Sequence, residues 1–534
     1  MSPERERVAD VALFALVGLV VLFLLAQLLA FGYGRDQGIY AVVADAVLRG
    51  GAPYRDAWDF KPPGIHLVFA FARALLGRDP MAIRAVEAAA LLTLAPAFAQ
   101  LTRRALGSAA PGLLGAAVAI LGYVPLEFWN TAQPEGFAAV AMAWGVVAAT
   151  RAERDASLRA AALACGAMGL LYGAAALGKP TLAGGLPVSL AFALSAAPDG
   201  VRRGGSRAWA LAAAGVAGAA VAPGCVLLWL HARGALGDAA DALLRFAPGY
   251  TALGLAGQTP LGLAARAFAF WLSPLAPFGT LGLVWLALLP PLAPGERRLA
   301  AHLLCVTSVT LLGVALQAKF FAYHFAPAIV LSGCAAGIGW WKLWRRVRAR
   351  PVVLAATAAL LALLPLAQLP GLPSVLPFWT RTPARLGAWL DRAHWPDVAD
   401  RLHSGDDVDA RANRAAAEWL ALHTRPEAPI FIWGFEPVIY DLARRRPASR
   451  YIYDVPQRSP WAAAAHRRVL LRELRSAPPA AVVLVHGDAL PAVTGNGRDS
   501  AQALEAFPAL ARLLARGYVS AARFGDLEIL VPRG

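Results

Sequence analysis

The sequence predicts a polytopic α-helical membrane protein of about 11 transmembrane helices, followed by a C-terminal soluble α/β domain. Three observations predict this fold class. Hydrophobic residues make up 58% of the 534 residues and charged residues only 16%, whereas an ordinary soluble domain has about 25% charged residues. The mean hydropathy is +0.52, and apolar runs of bilayer-spanning length recur from the N-terminus onward. These values exclude a soluble globular enzyme and a disordered chain.

The first apolar run, 11–31, is uninterrupted and follows a short charged start. Its length and the lack of a cleavage site favour a retained span, with the N-terminus in the cytoplasm, over a signal peptide. Ten further runs have about the length that a bilayer requires. They lie at 81–101, 109–126, 136–150, 158–178, 181–198, 208–231, 261–292, 299–317, 324–341 and 351–370.

The apolar run 64–77 has only 14 residues, which suits a re-entrant or interfacial helix better than a span. Leaving it out of the count places every short arginine-rich loop on the cytoplasmic side, as the positive-inside rule requires. The same rule accounts for the net charge of +16, so nucleic acid is not expected as a partner. The long first loop and the whole C-terminal part then lie outside.

The C-terminal part predicts a small α/β domain. We expect a transmembrane domain at 1–370 that includes a first outer loop at 32–80, a linker at 371–410 and an extracytoplasmic domain at 411–534. The segments 429–434 and 480–485 are typical of short buried strands, and the closing ARFGDLEILVP is typical of a strand pair. Helices are predicted at 412–422, 436–446, 461–475 and 500–516.

The first outer loop holds the most informative residues. Asp36 lies just past the first span, where a carboxylate usually has a function or a partner; from its position alone it also suits the cap of a helix that starts near Gly38. Lys61 precedes a Pro-Pro-Gly helix start. It either snorkels to the interface or binds a lipid phosphate as a compact point charge. Both alternatives stay open from the sequence.

Further candidates lie at the predicted outer ends of later spans. Glu135 is either a second acid that contacts the acceptor or a metal, or a helix N-terminal residue favoured by the helix dipole. Tyr323 and His324 follow Lys319, and His324 either contacts phosphate or sugar or is an interfacial residue with a satisfied hydrogen bond. Lys61, Lys179 and Lys319 all map to the outer face in a chain with only four lysines. Together they suit one anionic lipid headgroup.

Four polar or aromatic residues of the C-terminal part are weaker candidates for a site, namely Trp433, Glu436, Tyr440 and His486. They have no triad or metal spacing, so packing and capping are expected for them. The run Arg444–Arg446 is expected to be a solvated face.

The spacing in the first loop resembles that of the GT-C superfamily of membrane glycosyltransferases, in the branch of protein O-mannosyltransferases and aminoarabinose transferases. The pattern is an acidic pair followed by YxxxAxxxxxGxxPYxDxxxxKPPG. The matching residues are Asp36-Gln37, Tyr40, Ala44, Gly50, Pro53-Tyr54, Asp56 and Lys61-Pro62-Pro63-Gly64. The resemblance continues weakly at 131–137 and 317–327.

This resemblance implies transfer of a sugar from a polyprenyl-phosphate donor, on the outer side of a bacterial inner membrane and with inversion. It makes Asp36 the general base, or the residue that orients the acceptor or a metal, and makes Lys61 a ligand of the donor phosphate. The chain departs from the family at Gln37, where a second acid is more usual. Roles that need two adjacent carboxylates are therefore in doubt. No cofactor is certain, and a divalent metal ion is the open candidate.

The resulting hypothesis assigns three groups of site residues. They are Asp36 and Glu135 for catalysis; Lys61, Lys319, Tyr323 and His324 for the donor phosphate; and Gln37, Tyr40, Tyr54 and Asp56 for the acceptor or the loop. A base for the acceptor hydroxyl and cations for the leaving phosphate are what the reaction requires. The acceptor is a glycan, a lipid or a protein, and membrane lipids surround the site.

The alternative is a flippase or transporter of lipid-linked sugars without transferase activity. A transporter is expected to have broken helices and charges near the middle of the bilayer. Here the acidic residues cluster in the predicted outer loops, which favours the transferase.

Overall fold

The computed structural model describes residues 3–153, 157–195, 205–272, 277–350, 376–390, 395–405 and 408–533. Within these ranges the chain is helical apart from one four-stranded sheet near the C-terminus, so the predicted fold class is confirmed. Two compact units form, each from separated segments. Unit 1 contains residues 1–30, 84–226 and 258–383, and unit 2 contains residues 31–83, 227–257 and 384–534. The predicted boundaries near 370 and 411 stay a prediction.

The helices are numbered along the described chain. Up to residue 350 they are α1 Pro3–Leu29, α2 Arg35–Leu48, α3 Gly64–Leu76, α4 Pro80–Leu92, α5 Leu94–Leu106, α6 Ala110–Tyr123, α7 Glu127–Asn130, α8 Pro134–Ala152, α9 Leu158–Gly178, α10 Gly185–Ser195, α11 Gly205–Ala232, α12 Leu236–Ala240, α13 Ala247–Leu255, α14 Pro260–Leu272, α15 Pro277–Leu288, α16 Gly295–Gln317 and α17 Ala326–Val347. Short helical turns lie at Val124–Leu126, Pro180–Gly184, Asp241–Phe246 and Ala322–Phe325. The later helices are α18 Leu376–Leu390, α19 Trp395–His403, α20 Ala410–His423, α21 Val438–Ala443, α22 Val455–Arg458, α23 Ala463–Ser476, α24 Pro491–Thr494, α25 Ser500–Ala503 and α26 Pro508–Gly517.

Seven helical segments among the described residues are long and apolar enough to cross a membrane. They are Glu4–Leu29, Pro80–Leu106, Ala110–Asn130, Leu158–Gly178, Gly205–Ala232, Gly295–Gln317 and Ala322–Val347. The bent pair α14 and α15 brings the number to eight if it is one span. The chain is therefore a multi-pass membrane protein, but the predicted number of 11 spans is not confirmed.

The difference in the number of spans has specific causes. The predicted span 136–150 forms α8, whose Glu135 and Arg151 lower its hydropathy below that of a span. The predicted span 181–198 falls on the shorter apolar helix Pro180–Ser195. The predicted span 351–370 lies outside the described residues. The run 64–77 forms the 13-residue helix α3, which is shorter than a span, in agreement with its exclusion.

The helices of unit 1 approach one another at glycines. A Cβ atom added at Gly337 of α17 would overlap the backbone of Gly115 in α6 and approach Pro111 O. Likewise, a Cβ atom at Gly339 would overlap the backbone of Gly282 in α15. Lipid tails are as apolar as the side chains, so helix association in a membrane depends on close packing at small residues. Glycine at these positions lets the backbones touch.

We expect Gly337→Ala to destabilise the protein by about 1–3 kcal/mol, because backbone atoms of α6 cannot move aside as a flexible side chain would. Thermal unfolding in detergent measures the effect. The matched control is Gly18→Ala in α1, where nothing lies within 4 Å of the added Cβ. That control should be neutral or stabilising by up to about 1 kcal/mol. Equal midpoints for the two variants would contradict the packing argument.

Unit 2 contains a four-stranded sheet of order β1-β2-β4-β3. Its strands are β1 Ile430–Trp433, β2 Ala481–Val485, β3 Tyr518–Phe524 and β4 Leu527–Pro532. β1 and β2 are parallel, with Ile430 opposite Ala481, and helices α21 to α23 lie in the long connection that a parallel pair requires. β4 is antiparallel to β2 and to β3. Gly525, with φ of 55°, supplies the tight turn of the closing hairpin.

A buried charged cluster lies just after β2. Asp488 accepts hydrogen bonds from Ser500 N at 2.7 Å and Phe435 N at 3.1 Å, and Arg458 Nη1 lies 3.6 Å away. Burial, and then the charge of Asp454, raises the pKa of Asp488 to about 7. Because the folded pKa exceeds the usual value of about 4, ionisation opposes folding. Stability is therefore lost as the pH rises through this range.

We expect the parent protein to lose stability on the order of 1 kcal/mol or more between about pH 5 and about pH 8, and Asp488→Asn to lose less, because the amide cannot ionise. The midpoint of thermal unfolding at each pH measures this. The control Glu505→Gln, at an exposed position, should keep the pH dependence of the parent. An unchanged pH dependence in Asp488→Asn would show that another group is responsible.

Candidate active site

Asp36 and Lys61 form an ion pair in unit 2 across 25 residues of sequence. Lys61 Nζ lies 2.7 Å from Asp36 Oδ2 and also donates a hydrogen bond to the Tyr40 hydroxyl. The ammonium lies 4.8 Å from the centroid of the Tyr40 ring, which is a cation–π contact. The side chains of Asp36 and Lys61 are 24% and 17% exposed, whereas Tyr40 is fully buried. The carboxylate and the ammonium are thus in contact at a position that is partly accessible to solvent.

Helix capping and a turn position these two residues. Asp36 is the second residue of α2, where the helix dipole favours a negative charge. The Gln37 side-chain oxygen accepts a hydrogen bond from Gly34 N at 3.0 Å and so caps the same helix end. Tyr54, buried and with φ of 71°, donates from its hydroxyl to Lys61 O at 2.9 Å. Gln37 and Tyr54 are therefore placed to hold the ion pair.

Asp59 is a fully buried carboxylate two residues before Lys61. Its Oδ2 lies 2.9 Å from His66 Nε2, and its Oδ1 accepts hydrogen bonds from the Tyr453 hydroxyl and from Phe60 N, both at 2.8 Å. Burial alone would raise the pKa of Asp59, but His66, Lys61 and Tyr453 outweigh burial and hold it below its usual value. The ionised carboxylate fixes the backbone next to Lys61.

Arg35, the residue before Asp36, pairs with the side-chain carboxylate of Glu436 in the C-terminal part of the chain. Arg35 Nη2 and Nε lie 2.8 and 3.0 Å from Glu436 Oε1, and Asn413 Nδ2 donates to Glu436 Oε2 at 2.8 Å. Arg35 and Glu436 are both buried. The pair fixes the start of α2, and with it the backbone that carries Asp36.

Tyr250 is a further aromatic residue of this unit, and sequence analysis did not identify it. Its ring centroid lies 4.9 Å from that of Phe60. Burial, and then the negative charge of Asp36, raises the pKa of Tyr250 above its usual value. The hydroxyl therefore stays protonated at neutral pH and is able to donate a hydrogen bond.

Asp56 stabilises a surface turn. Its Oδ2 accepts hydrogen bonds from Ala52 N at 2.7 Å and from Arg55 Nη2 at 2.6 Å. Burial raises the pKa of Asp56, but the bonds from Arg55 and Ala52 outweigh burial and lower it. These contacts explain Asp56 as a loop residue.

A second cluster lies in unit 1, around Glu135 at the start of α8. Lys179 Nζ pairs with Glu135 Oε1, and His324 Nε2 lies 3.8 Å from the same oxygen. Glu135 is buried, and its Oε2 has no hydrogen-bond partner among the described residues. Lys179 also lies 5.9 Å from the centroid of the Tyr323 ring. The structure thus brings together three residues that the sequence placed at the outer face, Glu135, Lys179 and His324.

Lys319 and His324 are joined through the backbone. His324 Nδ1 lies 2.5 Å from Lys319 O. A carbonyl oxygen only accepts, so Nδ1 carries the proton, and Nε2 is the acceptor nitrogen when the ring is neutral. Lys319 is buried, and burial lowers the pKa of its ammonium. Lys319 lies two residues past the end of α16, in agreement with its predicted position at the end of a span.

The candidate residues are distributed over both compact units. Asp36, Lys61 and their neighbours belong to unit 2, and Glu135, Lys179, Lys319, Tyr323 and His324 belong to unit 1. Among the described residues, no group of three or more His, Cys, Asp and Glu side chains is arranged to hold a metal ion.

The C-terminal residues set apart in the sequence have mixed roles. Trp433 Nε1 donates to Ser500 O at 2.7 Å, and the Tyr440 hydroxyl accepts from Ile432 N at 2.9 Å. Both side chains are buried and have structural roles, as expected. Glu436 also pairs with Arg35. Its position at a strand-to-helix turn is the only sequence feature that pointed to this role, and that position is equally typical of a capping residue.

The expectation of a solvated face at Arg444–Arg446 is wrong for Arg445. This side chain is buried and donates to Thr424 O at 2.7 Å and Ala421 O at 2.8 Å. Its guanidinium closes the end of α20, because the last carbonyls of a helix lack partners within the helix.

Comparison with solved structures identifies the fold. The chain aligns with ArnT from Cupriavidus metallidurans bound to undecaprenyl phosphate over 97% of both chains, with 17% identity and a TM-score of 0.60. The apo state of the same protein aligns over 97% of both chains, with 17% identity and a TM-score of 0.57. ArnT, an aminoarabinose transferase, belongs to the GT-C superfamily. This chain has the fold of ArnT.

The resemblance seen in the first loop is thus confirmed at the level of the fold. No protein-family model matches the chain, and no curated protein matches it in sequence. The similarity to ArnT is therefore visible in the fold and not in the overall sequence.

We expect Glu436→Gln to destabilise the protein by about 3 kcal/mol, because it removes the negative charge that faces buried Arg35. Thermal unfolding in detergent measures the loss. The control Glu418→Gln alters an exposed ion pair with Arg414 and should cost at most about 0.5 kcal/mol. If the two variants are equally stable, the Arg35–Glu436 pair does not stabilise unit 2.

Proposed function

We propose that the chain is a glycosyltransferase that moves a sugar from a polyprenyl-phosphate donor to an acceptor on the outer face of the membrane. The Asp36–Lys61 pair carries the proposal, because it holds a base and a phosphate ligand 2.7 Å apart. The GT-C fold supports the reaction class, and ArnT was crystallised with undecaprenyl phosphate. A polyprenyl phosphate is therefore the carrier we propose for the donor.

Asp36 is the proposed general base. Its carboxylate takes the proton of the acceptor hydroxyl as that oxygen attacks the anomeric carbon. The bond between the anomeric carbon and the phosphate oxygen breaks, and polyprenyl phosphate leaves with the electron pair. A single displacement of this kind inverts the anomeric configuration, whereas retention would need a carboxylate nucleophile on the opposite ring face.

Lys61 is the proposed ligand of the donor phosphate. In the free protein its ammonium is shared between Asp36 and Tyr40. The phosphodiester of the donor carries one negative charge, as a carboxylate does, and its oxygens compete for the same ammonium. Donor binding then weakens the hold of Lys61 on Asp36, so that the carboxylate turns to the acceptor. The same ammonium stabilises the charge that develops on the leaving phosphate.

The second cluster has a proposed supporting role. Lys179 engages one oxygen of Glu135, and the other has no hydrogen-bond partner within the described part of the chain. The second oxygen suits a contact to an acceptor hydroxyl. Lys319 and His324, with the neighbouring Tyr323, are proposed to contact donor phosphate or sugar. Burial makes the neutral form of Lys319 easier to reach, and an arriving phosphate would stabilise its charged form.

The proposed location is a bacterial inner membrane, with the N-terminus in the cytoplasm and the C-terminal residues outside. The arginine-rich segments between the apolar helices support this orientation, because such loops stay on the cytoplasmic side. An outer-face enzyme has no access to cytoplasmic nucleotide sugars. A lipid-linked donor that is already on that face meets this requirement.

We expect Asp36→Asn to lower transfer by at least about 100-fold and Lys61→Ala to do the same with weaker donor binding, because the first loses the base and the second the phosphate charge. The measurement is release of label from radiolabelled polyprenyl-phosphate sugars by purified protein. The control Asp526→Asn, at an exposed hairpin turn, should keep the parent rate.

The outcomes separate the transferase from a flippase. Loss of turnover in Asp36→Asn with retained donor binding supports the proposal. No turnover by the parent with any donor, together with binding that Lys61→Ala weakens, would instead favour a lipid-handling protein. An Asp36→Asn variant that transfers at the parent rate removes Asp36 as the base.

A further inference from the structure

An arginine-lined cavity lies in unit 2, away from the residues assigned to transfer. Its volume is about 240 Å³, which admits a phosphate group with room for part of its substituent. The lining comes from the end of α2, the segment after α3, and the segment around α21. The charged lining residues are Arg49, Arg78, Arg444, Arg445, Arg446, Asp45 and Asp441.

The charge of this cavity is positive. Five arginines face two aspartates in the lining. The two carboxylates are already engaged by buried Arg73, whose Nε lies 3.0 Å from Asp45 Oδ1 and whose Nη2 lies 2.5 Å from Asp441 Oδ1. Since Arg73 neutralises part of their charge, a cation would find a poor site here. The excess of positive charge in the lining favours an anion.

Two of the guanidinium groups are available to a ligand. Arg444 and Arg446 are exposed and form no ion pair in the described structure. Arg445 between them is fixed by backbone carbonyls of α20, so the segment that carries all three is anchored. Arg444 and Arg446 can therefore turn toward the cavity from a rigid base.

Like charges crowd the cavity. Burial lowers the pKa of Arg49, Asp45 opposes that effect, and the positive charges of Arg446 and Arg78 lower it further. Placing an anion between these groups relieves their repulsion. Guanidinium groups also bind phosphate oxygens through two parallel hydrogen bonds, which lysine cannot do.

The cavity is distant from Asp36 and close to a membrane-spanning segment. Asp36 lies at the first turn of α2 and Arg49 just past its last, which separates them by about 20 Å along the helix. Arg78 precedes by two residues the span that starts at Pro80. Arg78 therefore brings the cavity next to the end of a candidate span, where lipid phosphate groups are abundant.

We propose that this cavity binds the phosphate group of an anionic membrane lipid, at a site separate from the donor phosphate at Lys61. The proposal goes beyond the transfer reaction and does not depend on it. Lipid phosphates supply both the charge and the location that the arginines require. Free inorganic phosphate has the same charge but no acyl chains to hold it at this depth.

The test compares two double variants of the full chain in detergent. Arg444→Gln with Arg446→Gln removes the two exposed charges of the cavity. The matched control is Arg468→Gln with Arg472→Gln, which removes two exposed charges of α23 outside the cavity. The probe is phosphatidic acid, titrated by native mass spectrometry and by the shift in unfolding midpoint, with inorganic phosphate as a second probe.

We expect the cavity variant to weaken phosphatidic acid binding by about tenfold or more, because two charge-assisted hydrogen bonds are lost. The control variant should bind as the parent does. Because the transfer assay uses variants of Asp36 and Lys61, which lie outside the cavity, failure of the transfer proposal leaves this result unaffected. Equal binding by both double variants, or equal loss in both, overturns the proposal. If inorganic phosphate stabilises the parent as strongly as phosphatidic acid, the lipid assignment is wrong.

Discussion

The need of buried charges for partners organises unit 2. Three buried charged side chains of the first loop each meet a group from the C-terminal residues. The pairs are Arg35 with Glu436, Asp59 with Tyr453, and Arg73 with Asp441. A buried charge without such a partner costs several kcal/mol. The loop and the C-terminal residues therefore depend on each other, which explains why they form one compact unit.

The ion pair between Asp36 and Lys61 follows from this arrangement. The buried pairs fix the backbone that carries both residues. Asp36 follows Arg35 directly, and Lys61 lies two residues after Asp59. Preorganised charges act more strongly than flexible ones, because no energy is needed to orient them during the reaction. The C-terminal residues thus contribute to the proposed chemistry by positioning Asp36 and Lys61.

Much of this was predictable from sequence, and the rest has clear physical reasons. Composition predicted the membrane class, and short apolar runs predicted the first two strands of the sheet. The loop spacing identified Asp36 and Lys61 but not their contact. The number of spans found among the described residues is below the predicted 11, since apolar runs such as 181–198 are not all long helices and 351–370 lies outside those residues. The pair of Arg35 and Glu436 could not be predicted, because each residue alone has an ordinary local explanation.

The long separation between the partners has a consequence for biosynthesis. Arg35 precedes Glu436 by 401 residues, and chains grow at about 5–20 residues per second. The arginine therefore waits for about 20–80 s on the ribosome before its carboxylate exists. During that interval Arg35 lacks the carboxylate that it pairs with in the folded chain. The contacts that fix the start of α2 therefore form only as the last quarter of the polypeptide emerges.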